Sequence, residues 1–592
     1  MIKRVSESYK HNFAIIAFGP FLKIIEAIFD LLIPLIMKAV IDLNNGKDPK
    51  GLSAFVRMFN PDATPLGDAL AGGIIILIMG IVGYVITMIS QYLAAKASVN
   101  VGTEVRGSLY RKVLTLSKDE REQIGNARIL TLINSDTYQL QYGVLLFVRL
   151  VVRAPFILIG SLVISFTLDW RIGLAFTAIV SLIALVYFIV FKKSSKQYVD
   201  IQSNLDDLSN STSEVSDGAR VIRASNQQEQ ENIKFEKKTS SYEQKSIKVN
   251  RLNALVNPLT FAITSLVLIA IILVMQNSLF SDDNIEIVST IIAEMAYLSQ
   301  IFFVVVQLSQ VVVEIVKASV SRKRIDQLLA VTPKIVNSDN PKTNSVALGD
   351  KLIKFENVSF SFNNDENYFL NDLSFEIRKG ETLGIIGGTG SGKTTIINLI
   401  ERFYDTSKGQ ILYKGIPLKE YDLNALRNDI GLVNQKSSLF NGTIKDNYLM
   451  SNKNASDEDI ITALKQAEAY EFVNKLDDGI NHQVKEGGTN FSGGQRQRLC
   501  IGRALVKKPE ILILDDSTSA LDLLTDKKIR TTINEIKDMT KVIVSQRVST
   551  IQNADFIIVL EGGRVVGQGK HNDLLKECPI YQEIYETQIK KG

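Results

Sequence analysis

The sequence predicts an α + α/β chain: six membrane-spanning helices with long cytosolic helical extensions, followed by a P-loop α/β domain. Three observations carry this. Most long uncharged runs fall before residue 320, and short β-rich runs such as IKFENVSFSF and LSFEI replace them from about Lys351. The pattern GGTGSGKTT stands between a strand-like TLGIIG and a helix-like INLIERF. At 592 residues the chain is too long for one core. The expected division is a membrane domain over 1–320, a linker over 321–350 and an α/β domain over 351–592. The linker is marked by the turn formers Pro333, Asn337, Asp339, Pro341 and Asn344.

Each expected span needs about 20 mostly apolar residues. Ala69–Ala95 and Ala254–Phe280 carry no charge, and neither do Ala154–Leu168, which begins earlier near Tyr142, and Ile172–Phe191. The last two are separated by a tight break at Asp169, Trp170 and Arg171. Phe13–Met37 is apolar apart from Lys23, Glu26 and Asp30, and Ile287–Val316 apart from Glu294 and Glu314. Basic residues crowd Lys96–Arg128 and Lys192–Arg251, whereas the turns at 169–171 and 277–287 hold one Arg and none. By the positive-inside rule the N-terminus and both long loops are cytoplasmic. Asn44–Asp68 then lies outside, despite Lys47, Lys50 and Arg57. The long loops have few glycines or prolines, so they are expected as paired helical arms reaching tens of ångströms from the bilayer.

Charges within spans are costly and are commonly functional. Glu26, Asp30 and Glu294 could line a path for cationic substrates, or could be paired with Lys23 or Lys38. Arg149 and Arg153 are expected to snorkel to headgroups. The overall balance is 46% apolar against 22% charged, which fits segregated regions. A net charge of +4 implies no nucleic-acid partner. Cys500 and Cys578 fit neither a disulfide framework nor a zinc site, which suits a reducing compartment. The opening MIKRVSESYKHNFA lacks the short apolar core and cleavage site of a leader.

The strand–loop–helix setting makes GGTGSGKTT a nucleotide site rather than a chance match. Gly387, Gly388, Thr389, Gly390, Ser391 and Gly392 allow backbone amides to wrap phosphates, and the helix N-terminus beyond supplies fixed positive dipoles. Lys393 would reach the β- and γ-phosphates of ATP, Thr394 would ligate Mg²⁺, and Thr395 completes the motif. ILILDD reads as a buried strand ending in two carboxylates, of which Asp515 would hold Mg²⁺ directly or through water.

FSGGQRQRL followed by LILDDSTSALD resembles the signature, Walker B and D-loop segments of the ATP-binding cassette (ABC) proteins. The order, spans first and nucleotide-binding domain second, is similar to the type IV exporter half-transporters, and the resemblance covers essentially the whole chain. It implies that Ser492, Gly493, Gly494 and Gln495 contact the γ-phosphate of an ATP bound to a second subunit. Gln435 resembles the Q-loop glutamine that senses Mg²⁺, Asp522 the D-loop aspartate, and Phe362 the aromatic that stacks on adenine. Glu486, Gly487 and Gly488 resemble the segment that meets the intracellular loops, where residues near Glu120–Arg128 and Ser213–Ala224 resemble the coupling helices. Asn441-Gly442-Thr443 matches a family loop rather than a glycosylation acceptor.

Two positions depart from the family. Asp516 stands where the general base is usually Glu, and one methylene less withdraws the carboxylate from a water it must approach within about 3 Å. Gln546 stands where a His usually contacts the γ-phosphate, and an amide cannot become a cation. Both belong to the ATP site built on this chain's own P-loop, while the signature, which serves the other site, is intact. The expectation is a heterodimeric plasma-membrane exporter of amphiphilic drugs, lipids or peptides, this chain contributing the slow site. The alternatives are a homodimer with two slow sites and an ATP-gated channel or regulatory ABC protein.

Overall fold

The computed structural model describes residues 2–60, 64–279, 284–343, 350–362, 367–517, 521–536 and 538–589. Phe280, Asn344 and Thr518, Ser519 and Ala520 of the Walker B and D-loop segment, each part of an expectation above, lie outside these residues. The chain forms two units. One comprises Met1–Leu114 with Ala127–Val331, the other Thr115–Asn126 with Thr332–Gly592.

The first unit is helical. Among the described residues, five helices are long and apolar enough to cross a membrane: Pro65–Thr115, Asn126–Leu168, Trp170–Val190, Gln228–Ile269 and Ile287–Ala330. The expected first span lies within the 32-residue helix Phe13–Asn44, but its three charges keep it outside that group. Those charges are paired. Lys23 bonds Glu26, and Arg153 bonds Asp30 and lies 3.8 Å from Glu26. Arg153 is therefore an ion-pair partner inside the unit, not the snorkelling side chain expected from its place near a span end. Lys38, the alternative partner, instead pairs with Asp42 at 2.7 Å. Glu294 is buried and its Oε2 accepts from Ser165 Oγ at 2.5 Å. In the expected outer loop, Arg57 is neutralised by Asp68 at 3.2 Å.

The break at 169–171 is sharp. Asp169 is extended, and its carboxylate caps the next helix by accepting from Arg171 N at 2.7 Å. That helix runs 55 residues to Ala224, about 80 Å at 1.5 Å per residue, and Gln228–Ala254 follows it. Ser213–Ala224 is thus the end of a long helix rather than a separate short one. The other loop behaves differently. Ser117 and Glu120 form a capping box that starts a short helix at Lys118, and Gly125 at φ +84° ends it after Ile124. The helix expected near Glu120–Arg128 is therefore Lys118–Ile124. The linker also starts later than expected: the last helix continues to Ala330, because Ser321, Ile325, Leu328 and Leu329 are buried at helical spacing.

The second unit carries two main sheets. Strands β1 (Lys351–Phe360), β2 (Leu370–Arg378), β4 (Lys408–Tyr413) and β5 (Ile416–Pro417) form an antiparallel sheet ordered β2-β1-β4-β5. Strands β3 (Thr382–Gly387), β6 (Ile430–Val433), β9 (Ile511–Asp515), β10 (Thr540–Val544), β11 (Phe556–Glu561) and β12 (Arg564–Gly569) form a sheet ordered β12-β11-β3-β10-β9-β6. All but β12 run parallel. β3, β9 and β10 are buried along their whole length, as expected of strands covered on both faces. In such open sheets ligands bind beyond the carboxyl ends of the strands. Gly442–Thr443 and Gln483–Val484 make a small separate pair, β7 and β8. Thr443 also caps the following helix, so the Asn-Gly-Thr triplet has a structural use. Both cysteines are buried free thiols.

Candidate functional site

The loop after β3 turns through two left-handed glycines, Gly390 at φ +79° and Gly392 at φ +104°, a region side chains disfavour. Gly387 has no room for a side chain, since a Cβ there would lie 2.2 Å from the Leu560 carbonyl of the adjoining β11. The loop opens the helix Lys393–Ile400. Lys393 Nζ donates to the carbonyls of Gly387 at 2.9 Å and Gly388 at 2.7 Å. Burial lowers its pKa, against the pull of Asp516 and Asp515. The ammonium is thus tethered across its own loop. Gly388, Thr389, Gly390 and Thr394 are exposed, whereas Ser391 and Thr395 are buried. Ser391 Oγ has no hydrogen-bond partner among the described residues.

Register brings the acidic pair to this loop. Val544 of β10 lies opposite Ile385 of β3 on one side and Asp515 of β9 on the other. Asp515 is therefore at the same sheet edge, and Thr394 Oγ1 donates to its Oδ2 at 3.2 Å. Burial raises the Asp515 pKa, opposed by the Thr394 hydrogen bond. Asp516 follows at φ +47°, with its N–H donating to Val544 O at 2.9 Å. Gln546, two residues past β10, is exposed on the same edge. Gln435, two residues past β6, is exposed too. Among the described residues no cluster of three or more His, Cys, Asp or Glu side chains could cage a metal. One carboxylate beside a threonine hydroxyl fits Mg²⁺, which takes few protein ligands and completes its octahedron with water and phosphate oxygens.

The signature residues stand apart from this constellation. Ser492 and Gln495 make a reciprocal capping box at the start of helix Gly493–Leu505, with Gln495 N donating to Ser492 Oγ at 3.3 Å and Ser492 N to Gln495 Oε1 at 3.0 Å. Ser492 and Gly493 are exposed, while Gly494 and Gln495 are half-buried. Asp522 likewise caps a helix, accepting from Thr525 N at 3.0 Å. Phe362 is exposed and packs in an aromatic group, 4.9 Å from Phe360 and 5.7 Å from Tyr404 between ring centres. These three rings help line a half-open cavity of about 370 Å³, lined also by Ser117, Asp119 and Gln123 of the short-helix segment and by Lys334.

Sequence reasoning missed how that segment is held. Both oxygens of buried Glu120 are used: Oε2 accepts from Ser117 N and Oε1 from Lys334 N, each at 2.8 Å. Lys334 Nζ also pairs with Asp119 at 2.6 Å, and Lys118 Nζ reaches Asn398 Oδ1 at 3.4 Å on the helix after the P-loop. The Ser-x-x-Glu pattern followed by Gly125 was the available signal.

The P-loop, the adjoining acidic strand and the separate capped signature helix are those of an ATPase domain joined to a membrane domain. The ABC transporter transmembrane region matches residues 16–302, and the ABC transporter family matches residues 370–519. An uncharacterized ABC transporter ATP-binding protein of Mycobacterium tuberculosis is 31% identical over 503 residues, covering 84% of this chain and 85% of the relative. The ATP-dependent lipid A-core flippase of Haemophilus influenzae is 30% identical over 513 residues, covering 85% of this chain and 86% of the flippase. A bacterial Atm1-family ABC exporter with ATP bound shares the fold, with a TM-score of 0.79 at 23% identity over 98% of both chains. The chain belongs to the ABC transporter family. It is a multi-pass membrane half-transporter of the type IV exporter fold, with a cytoplasmic domain that hydrolyses ATP to drive transport.

Proposed function

We propose that this chain is the slow-site subunit of a heterodimeric exporter in the plasma membrane. The observation that carries the reading is the convergence of Asp516 and Gln546 beside one P-loop, while Ser492–Gln495 stays an intact, capped and partly exposed signature. In this reading Phe362 stacks on adenine, Gly387 through Thr395 hold the phosphates, and Thr394, Asp515 and Gln435 hold Mg²⁺, which screens the phosphate charge when bound. Asp516 is the weakened base and Gln546 the weakened γ-phosphate contact. The partner supplies a Glu and a His to the site completed by this chain's signature. ATP binding closes the two nucleotide domains. The movement reaches the membrane helices through the segment at Lys118–Ile124, and hydrolysis at the partner's site resets the cycle.

Phe13–Asn44 is then the sixth span, its cost lowered by the pairs with Lys23 and Arg153. Those pairs favour a structural role for Glu26 and Asp30 over a substrate-lining one. The transported class is amphiphilic, and the flippase relative adds weight to lipid-like compounds.

The test is ATP hydrolysis by this chain alone and together with the product of a neighbouring similar gene, the partner either wild type or with its Walker B Glu changed to Gln. The reading expects near-zero turnover alone, strong turnover with wild-type partner and loss with the mutant. Substantial turnover alone that disappears in Asp516→Asn would replace the heterodimer by a homodimer.

A further inference from the structure

The backbone around Gln546 is gripped by a side chain that no motif includes. The helix Val548–Ile551 is four residues long, and its N-cap, Arg547, makes no side-chain cap. Its first N–H, on Val548, donates instead to Gln588 Oε1 at 2.8 Å. Two residues earlier, the Gln546 carbonyl accepts from Gln588 Nε2 at 2.7 Å. One primary amide thus bridges a carbonyl and an N–H across the segment where β10 gives way to the short helix. An amide side chain can do both, whereas a carboxylate accepts only and an ammonium donates only.

Gln588 is held by a firm mount. It lies on the helix Pro579–Ile589, whose Tyr581 is wholly buried with its hydroxyl 2.7 Å from His571 Nδ1, and whose Ile584 and Tyr585 pack on the main core. The same stretch is tied from two other directions. Ser545 Oγ accepts from Arg547 N at 3.0 Å, and Arg530 Nη1 donates to Ser549 O at 2.7 Å while pairing with Asp526. Without Gln588, the two bonds that flank residue 547 would be lost, and the peptide that carries the Gln546 carbonyl would keep only the ties through Ser545 and Ser549. A shift of about 1 Å at a reacting group is enough to matter to its chemistry.

We propose that Gln588 is a positioning residue: through the backbone it fixes where Gln546 meets the terminal phosphate, so the C-terminal helix sets how long this chain's P-loop retains ATP. This rests on the role of Gln546 given above. The experiment uses the full chain in lipid nanodiscs, loaded with the fluorescent analogue MANT-ATP and Mg²⁺ and chased with unlabelled ATP. Gln546→Ala and Gln588→Leu are each expected to speed release about tenfold, with the double variant no faster than Gln546→Ala. Gln588→Glu, which keeps the Val548 bond and loses the Gln546 bond, should fall between. Gln582→Leu, at an exposed site on the same helix whose side chain bonds Glu586, should release at the wild-type rate and controls for damage to the helix. Wild-type release in Gln588→Leu beside fast release in Gln546→Ala would overturn the role of Gln588 and leave that of Gln546 standing. Equal acceleration by Gln588→Leu with and without Gln546 would also overturn it, as loosening that bypasses Gln546. Unchanged release in Gln546→Ala would remove the role of Gln546 itself, and with it the reason for positioning it.

Discussion

Lengthening one side chain should convert the slow site into a faster one. Asp516→Glu adds a methylene and carries the carboxylate about 1.3 Å further from a main chain fixed by the bond from its own N–H to Val544 O at 2.9 Å. Misplacement of a reacting group by about 1 Å costs on the order of 10²-fold, or about 2.7 kcal/mol of barrier. Restoring the reach should therefore raise turnover toward 10²-fold, and Asp516→Glu combined with Gln546→His should exceed either change alone. The cost lies in the backbone. At φ +47° Asp is better tolerated than Glu, so a small loss of stability accompanies the gain. The assay is phosphate release by the full-length chain in nanodiscs together with a partner whose Walker B Glu is changed to Gln, with Lys393→Ala as the blank. Turnover unchanged from wild type in both the single and the double variant would refute the reasoning, since reach at 516 would then not limit the reaction.

Other outcomes follow from particular contacts. Glu120→Ala removes a cap and the Lys334 tie together, so it should cost about 1–2 kcal/mol and speed amide exchange at Ser117 and Lys334; unchanged exchange at Lys334 would contradict the tie. Burial raises the Glu401 carboxyl to about 8, outweighing the opposing pull of Arg427, Lys507 and Lys118. Between the ordinary value of 4.5 and about 8 the unfolded chain has released this proton and the folded chain has not, so stability falls as pH rises through that window. Glu401→Gln should flatten the fall in unfolding temperature between pH 5 and 8, and melting curves that shift in parallel with wild type would count against it. Gly392→Ala meets a disfavoured φ of +104° and a Leu370 methyl 2.4 Å from the new Cβ, so MANT-ATP affinity should drop at least about tenfold; wild-type affinity would show that the loop can re-form around a side chain.

The P-loop was legible because its residues are contiguous: turn glycines, a lysine and a hydroxyl must follow a strand and open a helix. The break at Asp169 was legible for the same local reason, and the structure adds only its cap. The last helix was misjudged at its end because Pro333 and the polar residues after it suggested a linker, while the burial of Ile325, Leu328 and Leu329 is a tertiary fact. Arg153 was misread because its partners, Asp30 and Glu26, lie more than a hundred residues away in sequence.

The sequence by itself determined the two-part architecture, the chemistry of the phosphate loop and the two unusual residues, because hydropathy, turn chemistry and motif spacing act over a few neighbouring residues. Only the tertiary structure decided which distant residues meet. It set Asp516 beside the carbonyl of Val544, gave Lys334 to Glu120 and brought Gln588 to the backbone of Gln546. Sheet register and helix packing fix such pairs, and both are settled by burial of the whole core rather than by any local run of residues.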